Sequence, residues 1–328
     1  MILRPPSIST FNPNTRFSSN RAPFPKPTTK ILNCNVKQGL RSHDSPLVRD
    51  ESKDRLVEFE SMSLDNLGGP RLCCCGRRRL IGATIGTTLL SIPPSNASPS
   101  LPDPTAMLNS IHPPRPDWYE ELYASVQDKF MKPYEAQVAS YKSQIFANMR
   151  GKAETVLEIG IGTGPNLKYY ASDNSGVRVF GMDPNRKMEK YAQAAALNAG
   201  LPPADFKFIH AVAESLPLPN ASVDAVVGTL VLCSVKDVNV ALKEVMRVLK
   251  PGGLYLFVEH VAGKDGTLIR FVQGVLDPLQ QTVSDGCHLT RTTGKYISEA
   301  GFSDVDLNMV FVSNAYYVSP HVYGIACK

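Results

Sequence analysis

The stretch that decides the fold is Val156-Leu157-Glu158-Ile159-Gly160-Ile161-Gly162-Thr163-Gly164-Pro165-Asn166. An apolar run typical of a buried strand leads into a glycine-rich turn, and a helical segment follows it. Glycine adopts a positive φ without steric cost and lets a ligand lie against bare backbone. The stretch therefore predicts a strand–loop–helix unit whose loop binds a ligand.

The spacing within this loop indicates what kind of ligand it binds. The glycines follow the pattern G-x-G-x-G, whereas a dinucleotide-binding loop requires G-x-G-x-x-G, and the last position of that pattern falls on Pro165. Proline lacks the backbone N–H that helps a helix start to bind pyrophosphate. Glu158, two residues before the first glycine, would repel a phosphate but attract an ammonium group. We therefore expect a ligand without phosphates.

Short apolar runs alternate with helical segments beyond this loop, which predicts a parallel sheet with helices on both faces. The candidate strands are residues 155–159, 177–182, 206–210, 223–229, 254–259, 305–311 and 322–327. Helices are predicted between the early strands, at residues 166–171, 185–199 and 236–249. The last two strands are close enough to form a hairpin. The predicted fold class is α/β: a doubly wound, mostly parallel seven-stranded sheet with an antiparallel edge strand.

Asp183 follows the second candidate strand and could accept hydrogen bonds from the two hydroxyls of a ribose. NAD-binding enzymes share this feature, so it gains meaning only beside the glycine loop and the later Lys250-Pro251-Gly252-Gly253. The alternative is that the glycines only form a tight turn and Asp183 only caps the next helix.

The amino-terminal part differs from the rest in composition. Residues 1–97 hold 14 of the 35 Lys and Arg residues but only 7 of the 30 Asp and Glu residues, so the basic excess lies there. Residues 1–43 contain no acid, and Arg77-Arg78-Arg79 precedes an apolar run. We interpret residues 1–97 as a bipartite leader, a plastid transit peptide followed by a twin-arginine-like signal. It predicts a chloroplast location, in the stroma or at the thylakoid membrane or lumen; a mitochondrial location is the alternative.

Residues 98–116 are rich in Pro and Ser and predict a linker, and residues 117–150 predict two helices that cap the domain at 151–328. Two apolar stripes run along these helices, and we expect both to face the core. The first stripe is Trp118, Leu122, Val126 and Phe130, and the second is Tyr134, Val138, Tyr141, Ile145 and Met149. A surface that lies on a membrane is the alternative, and it would fit peripheral association with the thylakoid.

The run from Glu158 to Gly164 and the segment Arg247-Val-Leu-Lys-Pro-Gly-Gly253 resemble class I methyltransferases that use S-adenosylmethionine (SAM). Further stretches closely resemble the methyltransferase-like 7 family, whose animal members are membrane-attached thiol methyltransferases. These stretches are Cys-Ser-Val-Lys at 233–236, Glu-His-Val-Ala at 259–262, Asp-Gly-Cys-His-Leu-Thr-Arg at 285–291 and Pro-His-Val-Tyr-Gly at 320–324. The resemblance covers about residues 134–328. The leader departs from it, because the animal members have a longer hydrophobic anchor.

The resemblance implies that SAM is the methyl donor and identifies residues that hold it. They are Glu158, Gly160, Gly162, Gly164 and Asp183. Residues 211–217 look like the loop beside the adenine, where Glu214 or backbone groups would make the contact. Leu230, just past the fourth strand, looks like the residue that packs near the reactive end of the donor.

The candidate catalytic residues are His260, His288 and Asp285. His260 follows the fifth strand and could act as a base or only shape its loop. His288 could lie over the pocket with Asp285 orienting it, although Asp285 could also simply make a turn with Gly286. Cys233 and Cys287 are expected to pack or line the pocket, and the cysteine spacing predicts no metal site.

The leading hypothesis is a SAM-dependent methyltransferase that acts on a small, fairly apolar acceptor, with a thiol as first choice. A thiol has a pKa of about 8.5, so modest help produces enough thiolate. The alternatives are C- or O-methylation of a quinone or phenolic plastid lipid, and a SAM-binding, membrane-associated protein without catalysis. Residues 98–328 are nearly neutral, with 21 basic and 23 acidic residues, so no nucleic-acid partner is expected.

Overall fold

The computed structural model describes residues 103–170, 176–313 and 315–328. The predicted leader at residues 1–97 lies outside the described residues, and its targeting signals stay predictions. The described helices are α1 (Pro104–Ile111), α2 (Asp117–Phe130), α3 (Lys132–Phe146), α4 (Leu167–Tyr170), α5 (Glu189–Asn198), α6 (Val238–Val248), α7 (Leu268–Val283) and α8 (Thr293–Glu299). The described strands are β1 (Thr155–Ile159), β2 (Arg178–Asp183), β3 (Phe206–His210), β4 (Val223–Thr229), β5 (Leu249–His260), β6 (Asp304–Phe311) and β7 (Pro320–Cys327).

The seven strands form one sheet in the order β3-β2-β1-β4-β5-β7-β6. Strands β1 to β5 pair in parallel, β7 runs antiparallel to β5, and the edge strand β6 pairs antiparallel with β7. The predicted fold class is confirmed. The strand order reverses between β1 and β4, and open α/β sheets bind ligands at the carboxyl ends of strands beside such a reversal.

Apolar side chains cover both faces of the sheet, which explains the nearly continuous apolar runs of its strands. One core packs the sheet against α6 and α8 and includes Leu242 and Ile297. The other packs it against α3 and α5 and includes Phe146 and Ala192. The sheet is thus held from both sides, while the carboxyl ends of its central strands stay open to a ligand.

Most predicted elements are present, and the predicted bounds of β1, β3 and β4 are confirmed. Strand β5 begins earlier than expected, because Lys250-Pro251-Gly252-Gly253 is drawn into the sheet by the chain end. The Gly252 N–H donates to the Lys328 carbonyl at 3.1 Å, and the Lys328 N–H donates to the Gly253 carbonyl at 3.0 Å. Helices α7 and α8 lie between β5 and β6, where the sequence assigned no element.

The prediction of a linker at residues 98–116 is wrong for Pro104–Ile111, which is helix α1. The Asp103 side chain accepts a hydrogen bond from the Thr105 N–H at 3.0 Å and caps this helix, while Pro104 occupies its first turn. Both features favour a helix start, since the cap satisfies a free N–H and proline has none to satisfy. The Pro and Ser content of the segment concealed this signature.

The two apolar stripes have different outcomes. The second is confirmed as a core stripe, because Val138, Ile145 and Met149 are buried. The first prediction is wrong: Trp118 is 67% exposed and Phe130 is 73% exposed, and the two residues between them are exposed as well. A four-residue spacing shows that side chains share a helix face but not that another element covers that face.

Helix α7 also has an apolar face that is exposed, formed by Leu268, Phe271, Val275, Leu279 and Val283. Its inner face carries one buried polar residue, Gln273, beside the partly buried Ile269 and Val272. The fully buried Gln273 amide donates to the carbonyls of Val261 (3.2 Å) and Tyr317 (2.8 Å) and accepts from the Gly263 N–H (2.7 Å). Within the described ranges, none of the helices is both long enough and apolar enough to cross a bilayer.

Candidate functional site

A cavity of about 270 Å³ opens at the carboxyl ends of β1, β2 and β4. The glycine loop forms its floor. One wall is the loop after β4, and the opposite side is formed by α2 and the segment between α1 and α2. The cavity therefore lies where the strand order reverses, as the sheet topology requires of a ligand site.

The glycines of the loop serve different purposes. Gly160 (φ +59°) and Gly162 (φ +52°) line the cavity, whereas Gly164 does not. A Cβ atom on Gly160 would lie 2.4 Å from Cγ2 of Val231, so this glycine lets the loop after β4 pack closely. A Cβ on Gly162 would meet no protein atom within 4 Å, so it would project into the cavity. Gly164 instead packs against α5, where a Cβ would lie 2.9 Å from the Ala195 Cβ.

Two buried carboxylates flank the glycine loop. Glu158 at the end of β1 accepts a hydrogen bond from Nδ2 of Asn166 at 2.7 Å. Asp183 at the end of β2 accepts from the Gly162 N–H and the Asn185 N–H, each at 2.9 Å. Burial raises the pKa of Asp183 to about 6. Both carboxylates thus shape the loop, and each Asp183 oxygen, with one hydrogen bond, can accept another from a ligand.

Glu214 and Leu230 both line the cavity, as the resemblance implied. Glu214 also braces the wall, because its Oε1 atom accepts from the Lys236 N–H at 2.6 Å. Leu230 has a φ of +56°, an uncommon conformation for a residue with a side chain, and its N–H donates to the Val258 carbonyl at 2.9 Å.

Glu259 explains how the loop of Leu230 keeps that conformation. Its Oε1 atom accepts hydrogen bonds from the N–H groups of Val231 and Leu232, both at 3.0 Å. The side chain is fully buried, and burial raises its pKa to about 7. Sequence reasoning did not assign a role to Glu259, because its partners lie in another loop.

The three candidate catalytic residues do not come together. Asp285 lines the cavity, but the expected pairing with His288 is wrong. Asp285 accepts from Nε2 of His112 at 3.0 Å and from Arg115 at 2.6 Å, while the Nδ1 atom of His288 lies 3.7 Å from Oδ2 of Asp277, away from the cavity lining. The two basic side chains hold the pKa of Asp285 below its usual range.

His260 is buried behind the cavity wall rather than lining it, and its Nε2 atom lies 2.9 Å from Sγ of Cys287. Asp237, in the loop between β4 and α6, accepts from the N–H groups of Asn239 and Val240 and caps α6. The catalytic roles of His260 and His288 therefore stay predictions without a direct place at the cavity.

Sequence reasoning missed His112, Arg115 and Tyr123, which line the cavity opposite the glycine loop. His112 and Arg115 lie in the segment interpreted as a linker. The hydrogen bond that His112 donates to Asp285 raises the pKa of His112, and burial raises the pKa of Tyr123. The Asp-Pro pair at 103–104 was the available signal, since it marks the start of a helix, and His112 follows the end of that helix.

These features fit SAM. Glu158 offers a negative charge for the ammonium group, and the Oδ1 atom of the cavity-lining Asn166 is buried without a hydrogen-bond partner in the described part of the chain. Asp183 can accept from ribose hydroxyls, and the bare backbone at Gly162 leaves room beside it. The donor-and-acceptor set thus matches an amino-acid nucleoside better than a dinucleotide.

Comparisons with known proteins agree with this geometry. A family described as methyltransferase domain matches residues 157–257. Thiol S-methyltransferase TMT1A of Homo sapiens is 41% identical over 210 residues, which cover 61% of this chain and 83% of that protein. Thiol S-methyltransferase TMT1B of Rattus norvegicus is 38% identical over 228 residues, covering 68% of this chain and 91% of that protein.

A solved structure supports the fold independently of close sequence similarity. One chain of the complex between the Haloferax volcanii Trm112 methyltransferase activator and a methyltransferase superposes with a TM-score of 0.50 at 19% identity, covering 65% of this chain and 99% of that chain. At this identity the likeness concerns architecture alone. The family follows from the match to the mammalian proteins over most of their length, and the carboxylate-flanked glycine loop agrees with it. The chain belongs to the methyltransferase-like 7 family of SAM-dependent methyltransferases.

Proposed function

We propose that this methyltransferase transfers the methyl group of SAM to small, largely apolar thiols. The observation that carries the proposal is the lining of the cavity, which combines apolar side chains with the paired His112 and Asp285. The apolar lining residues are Ile111, Pro113, Met131 and Met188. The two mammalian relatives are named thiol S-methyltransferases, which supports the choice of acceptor.

When bound, SAM supplies a methyl group activated by its positively charged sulfur. Glu158 and Asn166 would hold the ammonium end, and Asp183 would accept from the ribose. Glu214 would stand beside the adenine, and the loop of Leu230, fixed by Glu259, would bound the reactive end. The segment between α1 and α2 would exclude water, and fixed alignment of the reacting groups is worth about 7–11 kcal/mol.

The acceptor thiol must lose its proton, and His112 is the residue placed to take it. Asp285 accepts from Nε2, so the neutral ring has its other nitrogen free to act as a base. The same hydrogen bond raises the pKa of His112, which makes the imidazole a stronger proton acceptor. Because a thiol is already a weak acid, this single base is sufficient.

The test is a methyl-transfer screen with the full-length chain, isotopically labelled SAM and panels of small thiols, phenols and quinone precursors. Methylated thiol is the expected product, with S-adenosylhomocysteine formed in equal amount. Preferential methylation of a quinone or phenol would replace the proposal with the plastid-lipid hypothesis. SAM binding without methyl transfer to any acceptor would contradict the proposal and favour the hypothesis of a SAM-binding protein without catalysis. An Asp183→Ala variant is the control, since any genuine transfer must fall with SAM binding.

A second part of the proposal concerns location. The exposed apolar faces of α2 and α7 support peripheral association with a lipid surface, from which an apolar acceptor could enter the cavity. Flotation of the full-length chain with neutral phospholipid vesicles tests it. A variant with Phe271, Val275 and Leu279 changed to Ser should float less, and unchanged flotation would remove α7 from the proposal. A chloroplast location rests on the leader alone and is tested by imaging a fluorescent fusion.

A further inference from the structure

Three residues distant in sequence meet behind the cavity wall. Cys233 lies in the loop after β4, His260 ends β5, and Cys287 lies in the loop after α7. All three are buried, and one ligand-capable atom of each lies within 4.8 Å of those of the other two. Two loops and the end of β5 thus bring two thiols and one imidazole together.

This cluster is linked to the cavity without lining it. Ser234 and Gly286, each next in sequence to one of the two cysteines, do line the cavity. The His288 N–H donates to the Cys233 carbonyl at 2.9 Å, so the two cysteine-bearing loops are also joined through their backbones. Any change in the cluster therefore alters the position of the wall that the acceptor meets.

Two cysteine sulfurs and one histidine nitrogen are a ligand set that Zn²⁺ prefers. Tetrahedral Zn²⁺, with bonds of about 2.3 Å to sulfur and about 2.0 Å to nitrogen, needs ligand atoms about 3.5–3.8 Å apart. The present spread of up to 4.8 Å spans this range. The pair His260 Nε2 and Cys287 Sγ, now at 2.9 Å, would have to separate by about 0.6 Å, which small side-chain rotations provide.

The polar groups around the cluster favour a cation. The Nδ1 atom of His260 and the Oε2 atom of the preceding Glu259 are buried without hydrogen-bond partners among the residues that the structure describes. A cation at the cluster would stabilise the Oε2 oxygen beside it, whereas Nδ1 would stay outside the coordination because Nε2 is the atom that faces Cys287. Two thiolates and one Zn²⁺ ion carry no net charge, so a filled site avoids the cost of burying an isolated charge.

We propose that Cys233, His260 and Cys287 bind one Zn²⁺ ion. The ion fixes the loop after β4, the end of β5 and the loop after α7 behind the acceptor side of the cavity. These three ligands leave a fourth position for water or another small donor. The cysteine spacing alone predicts no metal site, because metal motifs are recognised by short spacings and these ligands are brought together only by the fold.

The experiment uses the full-length chain, purified with a reductant and without chelators. Zinc is measured by inductively coupled plasma mass spectrometry, and metal-free protein is then titrated with Co²⁺. We expect about one zinc per chain, and a thiolate-to-cobalt charge-transfer band that saturates at one equivalent. Cys287→Ser and His260→Gln should lose the tight uptake. The control is His321→Gln, a buried neighbour whose ring centroid lies 6.4 Å from that of His260 and outside the cluster.

Folded, fully reduced protein that takes up neither zinc nor cobalt would overturn the proposal. So would a disulfide between Cys233 and Cys287 in the protein as purified with reductant, seen as the loss of two hydrogens by mass spectrometry. If the variants do not fold, alkylation of the wild-type chain decides. Because both thiols are buried, labelling is followed over hours, during which local opening exposes them. Zinc should slow the alkylation of Cys233 and Cys287 by iodoacetamide, and equal rates with and without zinc contradict the site.

Discussion

The Nε2 atom of His112 lies 3.0 Å from the Oδ1 atom of Asp285, so the segment after α1 is joined to the loop after α7 across the mouth of the cavity. Arg115 contacts the same carboxylate at 2.6 Å. A residue that sequence patterns placed in a linker thereby becomes part of the cavity wall. The contact closes one side of the cavity and holds His112, the proposed base, in the cavity lining.

Replacing His112 by Gln should lower kcat for a weakly acidic thiol by about 10²-fold, at the low end of what a general base contributes. The loss should be much smaller for an aromatic thiol with a lower pKa, because that acceptor ionises without help. Steady-state kinetics with both acceptors measure the difference. Equal losses with both thiols would indicate that His112 only shapes the wall.

The pH dependence of the same step gives a separate check. The hydrogen bond that His112 donates to Asp285 raises the pKa of His112, and only the neutral ring accepts a proton, so kcat should rise as the pH increases through that raised pKa. Asp285→Asn removes the charge and should move this rise to lower pH. A profile of log kcat against pH that is the same in both proteins contradicts the assignment.

Asp183→Asn should weaken SAM binding by roughly 1–3 kcal/mol, since it replaces a charged acceptor. Burial raises the pKa of Asp183 to about 6, so wild-type affinity should fall as the pH drops through that value and protonates the carboxylate. Calorimetric titrations at several pH values should show a flatter dependence in the variant. Asp224→Asn is the matched control, because that carboxylate accepts from Thr155 at the opposite end of β1.

Alanine at Gly160 and at Gly162 should have different effects. A Cβ on Gly160 meets Val231 at 2.4 Å, so Gly160→Ala should lower both the melting temperature and SAM affinity. Gly162→Ala adds a methyl group facing the cavity and costs about 1–2 kcal/mol of backbone strain at positive φ. It should leave a folded protein with reduced SAM affinity. Thermal unfolding and calorimetry measure the two effects. Equal changes in melting temperature and in SAM affinity for the two variants would contradict this division of roles.

The buried ion pair between Lys142 and Glu135 lies within helix α3, outside the glycine loop, and allows a prediction about stability. Nζ of Lys142 donates to both carboxylate oxygens, at 2.7 and 2.8 Å, and the lysine is fully buried. Lys142→Met should cost about 3–5 kcal/mol of unfolding free energy, because it leaves Glu135 uncompensated. The double variant with Glu135→Leu should recover much of that loss in urea denaturation. A double variant no more stable than the single one would show that packing, not charge, dominates.

The sequence carried the architecture well, because the determinants of a parallel sheet are local. Apolar runs, their lengths and the glycine loop identified the strands around the cavity, and Asp183 could be placed by its position after β2 alone. The loop spacing and Glu158 together indicated the class of ligand. All of these signals lie within a few residues of the features they predict.

What the sequence did not reveal depends on contacts between distant segments. The partner of Asp285 lies 173 residues away, and the buried position of His260 depends on the loop after α7. The stripe beginning at Trp118 has the periodicity of a core face, yet periodicity contains no information about what covers a face. Pairings of this kind require the folded chain.

The manner in which α7 is attached has a consequence for how this protein can change over time. Gln273 holds the helix in place through directional hydrogen bonds, which tolerate little sliding or rotation. Apolar contacts alone are less directional and would allow the helix to shift along its axis. The helix can therefore exchange its outward side chains freely while the loop behind it keeps its place. Substitutions on the exposed side of α7 can thus change which surface the protein binds, while Gln273 on the other side keeps the loops near the cavity in position.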